Sequence, residues 1–416
     1  MTLPHVFRAL RSRNYRLFFI GQGVSLTGNW MTTTASAWLA YELSGSPFVV
    51  GLLAFTSHIP ILLFSSLAGV WSDRLNRHRL IMLLQLLCFL VAAILAGITL
   101  TGHVTVTWLL VLSSVRGLIN AVEFPTRQAF IVELIETKKD LGNAIALNST
   151  LFNLARLTGP SVAGLVIVAG GAGGCYLLDA LSYAPILISL AVMKLPRRVA
   201  ASSRAHPWDE LRAGWRYAAA TPSLRAPLIL VAVMSMVAFS AATLAPVFAR
   251  DVFLRDARTL GLMFAAVGAG ALGSALFLSS RSSAVGLTRW VARGVFMVGV
   301  GQTAFAASPW LSLALLSLTL TGAGIVLTMA GSNTLIQSYV DDDKRGRVMG
   351  LFSMGQGMFP IGSLLVGFAA SVVGPRPAVF ASAAVCLLAA VLFHRTVRRA
   401  LDPMKPNVPT SPIQDA

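Results

Sequence analysis

The stretch Ala155-Arg156-Leu157-Thr158-Gly159-Pro160-Ser161-Val162-Ala163-Gly164 sets a proline and small residues inside an apolar run of membrane length, not in a loop. Proline removes a backbone donor and crowds the preceding turn, while small residues on one face let a neighbouring helix approach backbone to backbone. The stretch predicts a helix that bends and packs closely in a bundle of moving helices.

The surrounding chain is of the same character. Of its 416 residues 56% are hydrophobic and 12% charged, and its mean hydropathy is +0.73. Those values exclude an ordinary soluble domain and define a polytopic membrane protein. The short alternating segments of a membrane barrel are absent from the sequence. Apolar runs of about 20 residues recur instead. They place twelve spans at Tyr15–Tyr41, Pro47–Trp71, Leu80–Leu100, Val104–Phe124, Gly142–Ala169, Gly174–Met193, Pro227–Ala249, Thr259–Leu278, Thr288–Ala307, Trp310–Gln337, Val348–Val373 and Pro377–His394. No small-residue cleavage site follows the first run, so the first helix itself is expected to direct insertion.

The net charge of +17 is placed by topology. Arg8, Arg11, Arg13 and Arg16, then Arg74, Arg77 and Arg79, then Lys138 and Lys139, then Lys194, Arg197 and Arg198 all fall at one end of the predicted spans. The alternate connections 44–46, 101–103, 170–173 and 308–309 carry almost no basic residues. Positive loops stay inside, which puts both termini in the cytoplasm and makes nucleic acid an unneeded partner. The one charged outer connection is expected to hold Arg250, Asp251, Arg255, Asp256 and Arg258.

A polar stretch divides the chain near its middle, giving 1–195 as one six-helix bundle, 196–223 as a cytoplasmic linker, 224–398 as a second bundle and 399–416 as a cytoplasmic tail. Trp208, Trp215 and Tyr217 among arginines suit either a helix lying on the inner leaflet or a solvated linker. Gly142-x4-Leu147-x-Ser149 is repeated as Gly346-x4-Leu351-x-Ser353, and Gly69 and Gly273 keep the same separation. Parallel six-helix repeats are a transporter plan, so the expected fold is an all-α membrane protein of two pseudo-symmetric six-helix bundles.

A second motif, Gly69-x3-Asp73-Arg74-x-Asn76-Arg77-His78-Arg79, joins the second and third spans. Gly69 permits close helix contact, and Asp73 with Arg74, Arg77 and Arg79 offers ion pairs able to form in one conformation and break in another. The N-terminus of the eleventh helix, near Arg347, lies on the same side and could hold Asp73 through its positive dipole end. An ordinary positive-inside loop is the competing reading.

Over essentially its full length the chain resembles the major facilitator superfamily. The segment Gly69–Arg79 is similar to that family's loop between helices two and three, departing at Asn76 and His78. Gly159, Pro160 and Gly164 resemble the helix-five motif of its antiporting exporters, with alanine at 155 and 163 where glycine is usual. Further similarity lies in Trp38–Pro47, Pro125–Phe130 and Arg345–Met349, which resemble the branch of enterobactin-type siderophore exporters and macrolide-type drug exporters. The resemblance implies proton-coupled efflux across a bacterial inner membrane.

Ionisable groups inside a bilayer are costly, and each carries a functional hypothesis. Counting about 1.5 Å per residue puts Arg116 about 16 Å and Arg156 about 20 Å below the outer ends of their helices, and Asp179 about 7 Å below that of its own. The depths predict no Arg156–Asp179 pair. Arg116 and Arg156 are expected to line a central cavity where no carboxylate offsets them, favouring an anionic or amphipathic solute; bonding to exposed carbonyls is the alternative. Glu123 can pair with Arg127 one turn on. Asp179 and Glu123 are the candidates for the proton, although Asp179 also suits a packing role. His58 either titrates or bonds a carbonyl near Pro60. Asn29, Trp30 and Thr33, with Thr32 and Thr34, make helix one polar at mid-depth, as a cavity lining or as interhelical bonding. Trp38 and Phe352 are candidate apolar contacts for cargo.

The sequence holds no phosphate-binding Gly-x4-Gly-Lys-[Ser/Thr] loop, so an ion or solute gradient must supply the energy. Cys88, Cys175 and Cys386 are scattered and give no metal spacing or disulfide framework, and no cofactor is expected. The chain reads as a transporter and not an enzyme, with a small-molecule substrate, protons and the lipid bilayer as partners, acting as a monomer. Metabolite uptake, lysophospholipid movement and a non-transporting scaffold are the other readings.

Overall fold

A computed structural model describes residues 5–193, 215–280, 286–341 and 344–401, and the side chains of these except at 5–6, 66–74, 138 and 397–401. Among the described residues the chain forms helices and no strand. Nine helices among those residues are long and apolar enough to cross a membrane by length and composition. One of them, Leu141–Val192, is two spans, because the chain reverses at Gly171 with φ 70° and ψ 179°. Only glycine adopts that conformation freely. The reversal brings Cys175 Sγ to 3.7 Å from the Ala163 carbonyl. The expected loop at 170–173 is thus reduced to one residue.

Among the described residues the twelve long helices are α1 Arg13–Ser44, α2 Pro47–Arg74, α3 Arg77–Leu100, α4 Val106–Leu134, α5 141–170, α6 172–192, α7 Pro222–Val252, α8 Ala257–Ser279, α9 Leu287–Ala307, α10 Leu311–Tyr339, α11 Arg345–Val373 and α12 Pro375–Leu401. Two boundaries differ materially from the sequence reading. Helix α4 runs through Pro125 to Leu134 instead of ending at Phe124, and Arg250 and Asp251 belong to the last turn of α7 instead of a loop. The backbone of α5 stays helical at Pro160, so the interruption in this run is at Gly171.

Within the first six helices α1 packs on α5 and α6, α2 on α4, and α3 on α4 and α6; in the last six α8 packs on α10 and α9 on α10 and α12. The cores are separate: Tyr15, Phe18, Phe130, Tyr176 and Tyr183 fill the first bundle, and Val291, Val295 and Val298 lie at the centre of the second. Apolar side chains such as Leu165, Leu181, Leu316 and Phe368 are exposed around the outside. That surface matches hydrocarbon, not water.

The halves meet through α2 with α11 and α5 with α8, the second and fifth helices of each bundle. A third core lies between them at the end away from the basic loops, where Tyr41 and Val50 of the first half pack with Phe248, Leu260 and Val366 of the second. Backbones touch there. A Cβ placed on Gly51 would stand 2.5 Å from the Ser363 carbonyl and 3.0 Å from Gly367 Cα. One placed on Gly164 would stand 2.7 Å from the Ala257 carbonyl and 3.2 Å from Gly261 Cα. The two pairs are equivalent: Gly261 follows Gly51 by 210 residues, as the start of α8 follows that of α2, and Gly367 follows Gly164 by 203, within one residue of the spacing from α5 to α11.

Gly51→Val should therefore part the halves at this end and leave each bundle folded. A thiol reagent should then label Val50→Cys, which is buried in the shared core. By contrast Gly322→Val, whose Cβ would stand 2.0 Å from the Val267 carbonyl inside the second half, should lower thermal stability by about 1–3 kcal/mol without exposing that thiol.

Candidate functional site

Three helices of the first bundle converge on one buried carboxylate. Asp179 on α6 is fully buried. Its Oδ2 accepts from Arg116 Nη1 on α4 at 2.8 Å and from Thr32 Oγ1 on α1 at 2.7 Å. Arg116 Nη2 donates to Tyr183 Oη at 2.9 Å, one turn further along α6. Asp179 Oδ1 has no hydrogen-bond partner.

This arrangement corrects the expectation that no carboxylate offsets the midplane arginines. From the observed helix starts Arg116 is about 15 Å and Asp179 about 10 Å into their helices, a gap the long arginine side chain spans. The depths exclude Asp179 as a partner for Arg156 but not for Arg116. A buried charge in a bilayer is tolerated when paired and hydrogen-bonded, and this pair meets that condition except at Oδ1. Arg116 accordingly faces α6 within its own bundle.

Arg156 on α5 has different surroundings. Its guanidinium carbon lies 5.8 Å from the ring centre of Trp30 on α1 and 5.8 Å from that of Phe239 on α7. The two rings come from opposite halves. Trp30 is itself held edge-on by Phe152, with centroids 5.8 Å apart. Among the described residues Arg156 has no hydrogen bond and no ion pair. Pro160, four residues on, also deprives the Arg156 carbonyl of its helical donor. Gly159 lets α5 reach α1 at this level, since a Cβ there would stand 2.5 Å from Trp30 Cβ.

The other candidates divide by what they touch. Glu123 Oε1 is 3.3 Å from Arg127 Nε, the pairing its spacing predicts, and 3.5 Å from Gln85 Nε2. With α4 extended to Leu134, that pair lies inside the bundle and not at its end. His58 Nδ1 sits 3.0 Å from the Ala54 carbonyl, whereas the carbonyl that Pro60 leaves without a donor is that of Thr56. Its ring meets Phe359 of the other half edge-on at 5.0 Å. Thr33 is exposed and its hydroxyl donates to the Asn29 carbonyl at 2.9 Å, while Asn29 is half-buried. Trp38 packs against both the first core and the core between the halves. Phe352 is buried with Leu224, Val231 and Ile336 in the second bundle, which removes it from the cargo contacts.

Of the motif between α2 and α3, the side chains of Gly69, Asp73 and Arg74 lie outside the described residues. Arg77 Nη1 is 2.7 Å from Glu133 Oε1 at the end of α4, a partner the sequence reading missed because it stopped α4 at Phe124. The two departures from the family pattern have local roles. Asn76 caps α3, its Oδ1 accepting from the Arg79 amide at 3.1 Å, and His78 Nε2 lies 2.8 Å from the Leu190 carbonyl at the end of α6. Arg79 is exposed. In the linker, Trp208 lies outside the described residues. Tyr217 packs under the Lys344 ammonium at 4.4 Å, and the hydrogen bond from Lys344 holds the Asp341 carboxyl below the usual carboxylate range.

Two pseudo-symmetric six-helix bundles that meet around a midplane cation define a membrane transporter of the major facilitator type. The chain belongs to the transmembrane secretion effector family, which matches it over residues 5–412. It is 26% identical over 367 residues to the staphyloferrin A transporter of Staphylococcus aureus, covering 86% of this chain and 90% of that protein. It is 26% identical to the multidrug efflux pump Tap of Mycolicibacterium fortuitum, covering 83% and 87%. Identity to the enterobactin exporter EntS of Shigella boydii is 25%, covering 80% and 76%. Among solved structures, an inward-facing, occupied bacterial homologue of the lysosomal transporter Spinster superposes with a TM-score of 0.73 at 14% identity, covering 95% of this chain and 99% of that one. An inward-facing bacterial homologue of ferroportin gives 0.70 at 16%, covering 92% and 98%. The family and these relatives are transporters and not enzymes.

Removing one partner of a buried ion pair leaves the other uncompensated and costs about 3–5 kcal/mol. Asp179→Ala should therefore cut the amount of folded protein in the membrane sharply, and the double variant Arg116→Gln with Asp179→Asn should restore it. Quantifying membrane-extracted protein by size-exclusion chromatography checks both.

Proposed function

We propose that this chain is a proton-coupled exporter of small anionic or amphipathic organic molecules, in the class of the siderophore and drug transporters it is similar to. It works as a monomer in a bacterial inner membrane with its basic end in the cytoplasm. Alternating access rocks the 1–195 and 224–398 bundles about the midplane, with the described part of 196–223 docked on the second bundle and 399–416 as a tail.

The observation that carries this reading is the contrast between the two arginines. Arg116 is neutralised by Asp179. Arg156 keeps its charge at the meeting of the halves, between a ring from each. An anion bound there interacts with both bundles at once, and the flanking rings suit the apolar part of an amphipathic molecule. Asn29, Trp30 and Thr33 on α1 extend the same wall.

Asp179 is the proposed proton carrier. A proton placed on its free Oδ1 removes the charge that holds Arg116 and Thr32, loosening the ties among α1, α4 and α6. Glu123 is the second candidate, although its Oε1 is already held by Arg127 and Gln85. The switch role of Gly69, Asp73, Arg74, Arg77 and Arg79, and the close-packing role of Gly159, Pro160 and Gly164, complete the proposal. The tight glycine contacts away from the basic loops support reading that end as the closed one.

Purified protein in liposomes with an imposed pH gradient tests the scheme, using organic acids paired with their neutral methyl esters as probes. Arg156→Gln should raise the KM for the acid about tenfold or more and leave that for the ester unchanged. Equal effects on both would remove the anion-binding role. The double variant Arg116→Gln with Asp179→Asn, which leaves no uncompensated charge, should lose gradient-driven accumulation yet keep exchange of labelled for unlabelled substrate. Accumulation that survives this change would transfer the proton to Glu123 or another group.

A further inference from the structure

At the end away from the basic loops, the two halves are joined by a polar contact as well as by the glycine pairs. Tyr41, in the last turn of α1, donates its hydroxyl to the Asp251 carboxylate, in the last turn of α7. Among the described residues this is the one side-chain hydrogen bond between the halves at that end. The sequence gives no hint of it, because Asp251 reads there as one charge in a nearly neutral connection.

Local structure explains how Asp251 is aimed. The end of α7 is a wide π-helical turn, Phe248–Val252, in which the Phe253 amide bonds the Phe248 carbonyl at 2.9 Å. Such a turn shifts the side chains that follow it around the helix axis, and π turns recur where a side chain must be re-aimed for function. The apolar side of the contact is the shared core of Tyr41, Val50, Phe248 and Val366. Its other side opens on a cleft of about 710 Å³, lined by Ser46, Pro47, Val247, Ser371 and Arg376 besides the two partners.

The cleft matters energetically. A carboxylate and a phenol separated inside a dry core would each be left unsolvated, and such a contact would weld the halves together. Beside an open cleft both groups find water when they part, so the contact holds one state without preventing the other. Tyr41 is buried, at 4% exposure, and Asp251 is exposed, so water reaches the pair from the carboxylate side.

We propose that Tyr41 and Asp251 form a latch that favours the state closed at this end, and that they are positioning residues which set how readily the transporter opens there. The inference rests on the alternating-access reading above. Opening must break this contact, because its partners sit on different halves. Loss of the donor hydroxyl or of the acceptor oxygens should favour the opened state to a similar degree, since either change removes the same bond.

The test places spin labels on His103→Cys, in the turn between α3 and α4, and Trp310→Cys, before α10. Both positions are exposed, and the native Cys88, Cys175 and Cys386 are buried. In the otherwise wild-type protein in liposomes, changing pH and adding organic acids should produce a shorter and a longer distance between the labels. Tyr41→Phe, which removes the donor, and Asp251→Leu, which keeps the branched shape and removes the acceptor, should each raise the ratio of longer to shorter by about tenfold. The double variant should show no further rise, and thermal stability in detergent should stay close to that of the parent.

An unchanged ratio in the single variants would overturn the latch. So would effects that multiply in the double variant, since the two groups would then act separately, and so would a loss of stability without a change in ratio. A single invariant distance in the parent protein would overturn alternating access itself, and the latch with it.

Discussion

The structure depends on backbone-to-backbone contact between its halves. In a bilayer, helices gain little by hiding apolar side chains from one another, because the lipid is equally apolar, so association relies on close packing. Gly51 with Gly367 and Gly164 with Gly261 provide that packing at two equivalent places. At those two places backbone meets backbone, beside the side-chain core of Tyr41, Val50, Phe248 and Val366. An interlocked seam would hold one arrangement only, whereas a contact of small residues can be released and formed again. The symmetry also distributes the contact on either side of the midline, between α2 and α11 and between α5 and α8.

Within the first bundle the constraint is electrostatic. Arg116 and Asp179 are each too costly to bury alone at this depth, and together they fix the mutual position of α4 and α6. Thr32 adds α1 to the same carboxylate, and Tyr183 orients the arginine from α6. The arginine's charge is thereby offset within the bundle, with Oδ1 alone left unbonded. Among the described residues Arg156 has no such partner, and it lies between a ring from each half.

The sequence disclosed those features that depend on local pattern: the existence of the helices, the gathering of basic residues at one end, and the small-residue face of α5. It concealed those that depend on register between helices. The Arg116–Asp179 pair was hidden because two depths, each uncertain by a turn, had to be compared along with the reach of a side chain. Arg77 with Glu133 was hidden for a related reason. Proline at 125 reads as an end to α4, yet proline is tolerated inside membrane helices when neighbours accommodate it, and the helix continues for nine more residues. Asn76 and His78 departed from the family pattern in sequence, and the structure gives both a local reason, a helix cap and a bond to the end of α6.

Helix α7 shows most clearly why local pattern was insufficient. Its wide turn at Ser235–Phe239 frees backbone carbonyls, and the groups that meet this region come from elsewhere in the fold. Gln302 on α9 donates to the Ala238 carbonyl at 3.0 Å, and Ser240 donates to the Phe359 carbonyl on α11 at 3.2 Å. Neither tie is readable from the residues of α7. Both wide turns carry a side chain that reaches the first half, Phe239 toward Arg156 and Asp251 toward Tyr41. Twelve residues separate them, about 18 Å along the axis. A regular helix would hold its side chains to a single winding from end to end. The wide turns instead let α7 aim one residue at the midplane cation and another at the outer contact, with the core residues Leu244, Val247 and Phe248 buried between them.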